Sequence, residues 1–355
     1  MIRGADRMPS WASDRAIRAH LPLVTGGSGQ HHRPADKACA RTFAAMIDTS
    51  RVLIGIDIGT TSVKAVMSAE GGETLASYAA PYSTRRSQPG MAEQDPTDWL
   101  RHVTAALAQF ASHPRARAVT GIGITSQVNT HVFCDAALTP LAPALTWQDT
   151  RPGRVAGALD ARLDYATRIA ALGAPIPIDA SHALSRMAWM ADCAPTIWAA
   201  TRHVLLPKDW VIARLTGAIV SDPLSAIGLA GNDLCYADTV LALMPGAAEV
   251  LPPLCDPLAV AGQIADGPFK GVPVAAGTMD ALTAMVGLGV TDEGQAMYLS
   301  GTSEVLGLIS ATCTAEEGVI VFPRWRGITV HAGPTQSGGA ARDWIAGILA
   351  ADHAR

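Results

Sequence analysis

Residues 52–67 read VLIGIDIGTTSVKAVM, two strand-like apolar runs joined by a turn whose composition suits an anion. No other segment restricts the chain as strongly. Asp57 closes the first run, Gly59 can take a positive φ at little steric cost, and the N–H groups and hydroxyls of Thr60, Thr61 and Ser62 are able to converge on phosphate. A carboxylate beside such a turn suits a hydrated Mg²⁺ bridging nucleotide phosphates. An ordinary β-hairpin with a Gly-Thr turn fits the same residues, so other segments have to decide.

With 355 residues, 49% hydrophobic and 16% charged, the chain is globular and long enough for two domains, each with its own core. A net charge of −4 and the lack of any Lys/Arg run argue against nucleic acid or an acidic membrane surface as partner. Small molecules or a second copy of the chain are the expected partners. The six cysteines (Cys39, Cys134, Cys193, Cys235, Cys255, Cys313) show no C-x-x-C or Cys/His metal spacing, which predicts reduced packing thiols in a cytoplasmic protein. The most apolar window, Val272 to Val290, is broken by Asp280 and by glycines, so no membrane span is expected. Residues 1–50 are rich in Arg, His, Gly and Ser and are expected to form a disordered N-terminal extension. Asp6, Asp14 and Asp36 argue against a mitochondrial presequence there, and Met46 is an alternative start that would make the leader a mis-assigned one.

Downstream, GETLASYAAPYST predicts a third strand and MAEQDPTDWLRHVTAALAQFA a loop and helix. Asp95 and Pro96 form its cap and first turn, with Trp99, Val103, Leu107 and Phe110 on one face. A β-rich run, AVTGIGITSQVN, is followed by a hairpin-like return to Trp147, and the stretch from Pro152 to about Met244 reads as mostly helical. GVPVAAGTMDALTAMVGLG predicts strand, turn and helix. GQAMYLSGTSEVLGLIS then repeats the opening pattern around Gly301, Thr302 and Ser303. Strands of this kind interleaved with helices imply an α/β fold with ligands at strand ends.

Six segments in order, GIDIGTTSVKAV, PGMAEQDP, WQDTR, LPKDW, AAGTMDA and LSGTSEVLG, resemble the FGGY family of carbohydrate kinases, and the xylulokinases within it most closely. The resemblance implies two actin-like (ribonuclease H-like) domains with ATP in the cleft between them. It places a sugar-binding domain at residues 52–287 and the start of a nucleotide-binding domain at 291–355, shorter than the family's, so that the chain reads as a truncated member with a complete first domain and a partial second one. It also implies Asp280 as catalytic base and substrate contact, Asp57 as the Mg²⁺ residue, and Gly59, Thr60, Thr61 and Ser62 around the β- and γ-phosphates. Gly301, Thr302 and Ser303 would form a second phosphate turn on the opposite wall. Val128 and Asn129 occupy the acceptor-reading positions, where xylulokinases usually carry Met-His, which puts the identity of the sugar in question. Trp147 would give an apolar wall to the sugar, braced by Asp149 and Arg151.

Each residue has a plainer alternative: a helix N-cap for Asp280, a buried structural tryptophan for Trp147, a hairpin for either turn. Lys208 and Asp209 read as a buried structural pair, and Lys64 as a strand residue facing solvent or a surface carboxylate. The expected function is an ATP- and Mg²⁺-dependent sugar kinase acting on a ketopentose such as xylulose or a related polyol, with a homodimer as the expected assembly. A sugar-binding remnant without turnover is the alternative. An actin- or chaperone-like ATPase shares the turn and the fold but gives no account of WQDTR or LPKDW.

Overall fold

A computed structural model describes residues 51–300, 304–316, 318–335 and 338–349. The expectations for residues 1–50 and for Gly301, Thr302 and Ser303 fall outside these described residues.

Strand β1 (Val52–Ile58) and strand β2 (Ser62–Ala69) pair antiparallel, with Ile58 opposite Val63. Their alternation buries Val52, Ile54, Ile56, Ile58, Val63, Ala65 and Met67 on one face. Strand β3 (Thr74–Pro81) completes the meander. After the short strand β4 (Glu93–Gln94), helix α1 (Pro96–Ala111) starts as the sequence predicts: the Asp95 carboxylate accepts from Thr97 N, Pro96 opens the first turn, and Trp99, Val103, Leu107 and Phe110 are buried. Strand β5 (Val119–Ser126) then runs parallel to β1. The return through β6 (Val132–Cys134) and β7 (Ala144–Leu145) is hairpin-like at the His131–Leu145 and Cys134–Pro140 bridges, whereas β7 itself pairs with β4.

Five helices follow: α2 (Gly153–Asp160), α3 (Tyr165–Leu172), α4 (Ala183–Cys193), α5 (Pro195–Ala200) and, after strand β8 (His203–Leu205) on the edge of β6, α6 (Pro207–Thr216). The expectation of a mostly helical stretch to Met244 needs correction beyond Thr216. Residues 217–237 are irregular, because GAIVSDPLSAIGLAGND carries glycines, a proline and aspartates that favour turns. Strands β9 (Val260–Gln263) and β10 (Pro273–Ala275) complete a six-stranded sheet of order β3-β2-β1-β5-β10-β9. The meander joined to parallel strands is the actin-like, ribonuclease H-like arrangement.

Helix α7 (Asp280–Gly287) leads to a second sheet built from β11 (Ala296–Ser300), β12 (Glu304–Ser310), β13 (Ile320–Val321) and β14 (Thr329–Thr335), in the order β11-β12-β14-β13, and then to helix α8 (Gly339–Leu349). One core lies between the first sheet and α1 with α6, and a second joins the helices of residues 153–250. A third packs Leu282 and Met285 of α7 against Met297, Ile309, Phe322 and Ala332 of the second sheet. No helix among the described residues is long and apolar enough to cross a membrane.

The carboxyl ends of β1 and β5 are in register at Ile58 and Ser126, and Ser126 bridges to Met279 at the start of α7. Three segments that carry predicted site residues thus meet at one end of the parallel strands. Gly277 makes the approach possible: it has φ +67°, and a Cβ there would lie 2.1 Å from the Ile124 carbonyl oxygen. Gly277→Ala is therefore expected to cost about 2–4 kcal/mol, from left-handed strain added to a backbone clash, read as a lower urea midpoint.

Candidate active site

The alternation of β1 turns Asp57 away from the core into a cavity of about 940 Å³ between the first sheet and α7 with the second sheet. Burial raises the Asp57 pKa against the lowering effect of Lys64, and one carboxylate oxygen, Oδ1, is buried with no hydrogen-bond partner. That orphaned oxygen next to an anion-suited turn fits a cation. Among the described residues no three His, Cys, Asp or Glu side chains converge, so protein ligation of a metal would fall to Asp57. Lys64 is exposed and faces a carboxylate, as the sequence predicts. It stands opposite Asp57 in the β1–β2 register and lines the same cavity, because the face it shares with Val66 looks onto the second body of the protein.

The turn after Asp57 closes with Gly59 N donating to Ser62 O at 3.1 Å. Gly59 does not use the positive φ expected for it. A Cβ at Gly59 would sit 3.4 Å from Asp57 Oδ2 and from Ser62 O, so the small residue leaves space beside the carboxylate. The carbonyls of Gly59, Thr60 and Thr61 are taken from outside the turn. Tyr82 donates its hydroxyl to Gly59 O and its backbone N–H to Thr61 O, and Gln94 Nε2 donates to Thr60 O at 2.7 Å. The N–H groups of Thr60 and Thr61 have no acceptor among the described residues and are available to an anion.

Asp280 is the first residue of α7, not its cap. Met279 holds the cap position, and the Asp280 carboxylate accepts from Ala281 N at 2.7 Å. Burial, with the charge of Asp57 adding to it, outweighs that hydrogen bond and pushes Asp280 up to about 6. The loop that delivers it rests on a buried ion cluster. Lys208 Nζ, fully buried in α6, lies 2.6 Å from Asp209 and 2.8 Å from Asp222, and donates to Ala276 O at 3.3 Å. Asp222 in turn accepts from Thr278 Oγ1 at 2.8 Å, while Thr125 Oγ1 donates to Thr278 O at 2.6 Å. The two carboxylates outweigh the burial that opposes them and hold Lys208 above its ordinary range, hence protonated. The pairing of Lys208 with Asp209 is the one expected from LPKDW; Asp222, fourteen residues away in the chain, carries no sequence signal of its own.

The candidate acceptor residues follow β5. Val128 packs against the third core, and Asn129 has φ 51° and donates Nδ2 to Ser181 Oγ at 3.0 Å, lining a small cavity of about 30 Å³ with His131, Ser225 and Tyr236. Trp147 does not line the large cavity. It is part-buried, and its indole N–H donates to Thr60 Oγ1 at 3.0 Å. Its loop is braced as expected: Asp149 is fully buried and accepts from Ala92 N and from Arg151, which reaches Glu93 at 2.7 Å and stacks over Trp189. Sequence reasoning missed Arg186, fully buried in α4, which donates to the carbonyls of Leu145 and Thr146 just before Trp147 and to Ala180 O just before Ser181. A lone arginine in an amphipathic helix gives no local sign of three carbonyl partners. Asp57, the Gly59–Ser62 turn, Asp280 and the residues around Asn129 and Trp147 are therefore gathered at one end of the first sheet.

A family model described as "FGGY family of carbohydrate kinases, N-terminal domain" matches residues 52–287. The xylulose kinase of Streptomyces coelicolor is 33% identical over 311 residues, covering 85% of this chain and 63% of that protein. The xylulose kinase of Klebsiella pneumoniae is 30% identical over 265 residues, 72% of this chain and 54% of its own length. Among solved structures, a xyloylose kinase from Brucella ovis superposes with a TM-score of 0.76 at 28% identity, over 85% of this chain and 63% of that one. The chain thus spans between about half and two thirds of the length of these relatives.

Removing the cation from the ion cluster leaves two buried carboxylates facing each other. Lys208→Met is expected to cost about 3–5 kcal/mol in equilibrium unfolding, far more than loss of an exposed ion pair.

Proposed function

The chain belongs to the FGGY family of carbohydrate kinases, and we propose that its site phosphorylates a ketopentose such as xylulose, or a related sugar or polyol, with ATP as donor. The single observation that carries this reading is Asp280, raised to about 6 at the start of α7 beside Asp57 and the Gly59–Ser62 turn.

In this reading the N–H groups of Thr60 and Thr61 and the hydroxyls of Thr60, Thr61 and Ser62 hold the β- and γ-phosphates. Gly301, Thr302 and Ser303, outside the described residues, are assigned to a second phosphate turn by the family resemblance alone. Mg²⁺ brought with the nucleotide would be held by Asp57 and phosphate oxygens, and would offset charge on the transferring group. Val128, Asn129 and Trp147 position the sugar. Asp280 accepts the proton of the attacking hydroxyl; because the transition state is loose, its main task is to orient that oxygen in line with the phosphorus and to collect the proton late. Residues 52–287 form the sugar-binding unit, and residues from 291 onward begin the nucleotide-binding one. A cytoplasmic homodimer is the assembly proposed from the family resemblance. Binding of sugar without turnover is the second reading; it needs only the residues that the N-terminal family model matches.

ADP release with Mg-ATP and a panel of ketoses, aldoses and polyols separates the two readings. Sugar-stimulated release that Asp280→Ala abolishes supports the kinase. Thermal stabilisation by a sugar without any release supports the binding protein and overturns the kinase.

A folded-state pKa of about 6 against an ordinary 3.8 also carries a stability signature. Between those values the folded chain holds a proton that the unfolded chain has lost, so stability falls as pH rises through the window and the full penalty stands above about 6. Asp280→Asn removes the penalty. It is expected to unfold at a higher temperature than the parent at about pH 8, with the advantage shrinking toward pH 4, while sugar-stimulated ADP release is lost. Loss of a helix cap would instead lower stability.

A further inference from the structure

Thr60 is bonded directly from Trp147 and, by way of Gln94, from the segment that leads into Val128 and Asn129. Its hydroxyl accepts from Trp147 Nε1 at 3.0 Å, and its carbonyl accepts from Gln94 Nε2 at 2.7 Å. Gln94 Oε1 in turn accepts from Gln127 Nε2 at 2.8 Å, and Gln127 immediately precedes Val128 and Asn129. Gln94 is 2% exposed and Gln127 1%, so water does not compete for either amide. The far end of this relay is unpaired: Gln127 Oε1 is buried and has no hydrogen-bond partner.

A buried acceptor without a donor is costly, and a donor that reaches it polarises the amides behind it in the same direction. A sugar hydroxyl is such a donor. We propose that Thr60 is a junction coupling the acceptor to the phosphate donor, with the Gln127–Gln94 relay acting on its carbonyl and Trp147 on its hydroxyl. This inference rests on the kinase reading above and adds to it a mechanism for mutual dependence of the two substrates. Gln94 and Gln127 act as positioning residues. With Thr60 O and Oγ1 both fixed, the N–H groups of Thr60 and Thr61 stay aimed at the phosphates, and sugar and nucleotide raise each other's affinity by one common factor.

The test measures that factor: the Kd of the β,γ-imido analogue of Mg-ATP, with and without saturating amounts of the panel sugar that gives the greatest ADP release. The parent chain is expected to show a ratio of about fivefold or more. Gln94→Met and Gln127→Met each lower it to the part that Trp147 carries and, because they cut the same chain, the double variant loses no more than either single. Trp147→Phe cuts the parallel link and keeps the inference testable if a glutamine variant fails to fold. A merely structural role would weaken both affinities and leave the ratio unchanged, and that result overturns the relay. A parent ratio of one, with sugar-stimulated release intact, overturns the relay alone. Absence of stimulation by every sugar removes the kinase reading and the relay together.

Discussion

The placement of the candidate site depends on one buried cation. Lys208 stands on α6, Asp222 in the irregular segment after it, and Ala276 in the loop before α7, so a single ammonium group ties three distant pieces of chain together. Such a group is stable only while both carboxylates are present, which is why the surrounding hydroxyls matter: Ser221 donates to Asp209 at 2.7 Å and Thr278 to Asp222 at 2.8 Å. Through Thr278 the cluster continues to Thr125 on β5 and thus to the central sheet. The position of Asp280 is inherited from this cluster.

What the sequence made legible was whatever is decided locally. Alternation in β1 and β2, the Asp95 cap with Pro96, and the apolar face of α1 all depend on residues within a turn or two, and all are seen in the structure. Six motifs in order carried the family resemblance, and through it the ribonuclease H-like sheet, although the strands of that sheet are far apart in the chain.

The unread features are those settled by distant neighbours. Lys64 is exposed beside a carboxylate as expected, but period-two alternation could not say that the carboxylate is Asp57 or that this face looks onto α7 and the second sheet. Asp222 and Arg186 have partners that only the folded chain brings near. The Gln94–Gln127 relay joins residues on opposite sides of α1, and nothing in either local segment points to the other. Gly59 shows a different limit, for its freedom of φ goes unused and its smallness beside Asp57 is what the turn takes from it.

Asp57 and Asp280 set two carboxylates in the cleft against the single ammonium group of Lys64, which leaves it negative in character. On the proposed reading this acts as a filter on the charge state of the donor. A bare polyphosphate approaches like charge in a partly desolvated space, where repulsion is several times stronger than in water, whereas the same molecule with its charge offset by a counterion does not meet that barrier. Discrimination would then begin at encounter, ahead of any specific contact, and it would be sharpest in dilute buffer, where screening is weakest.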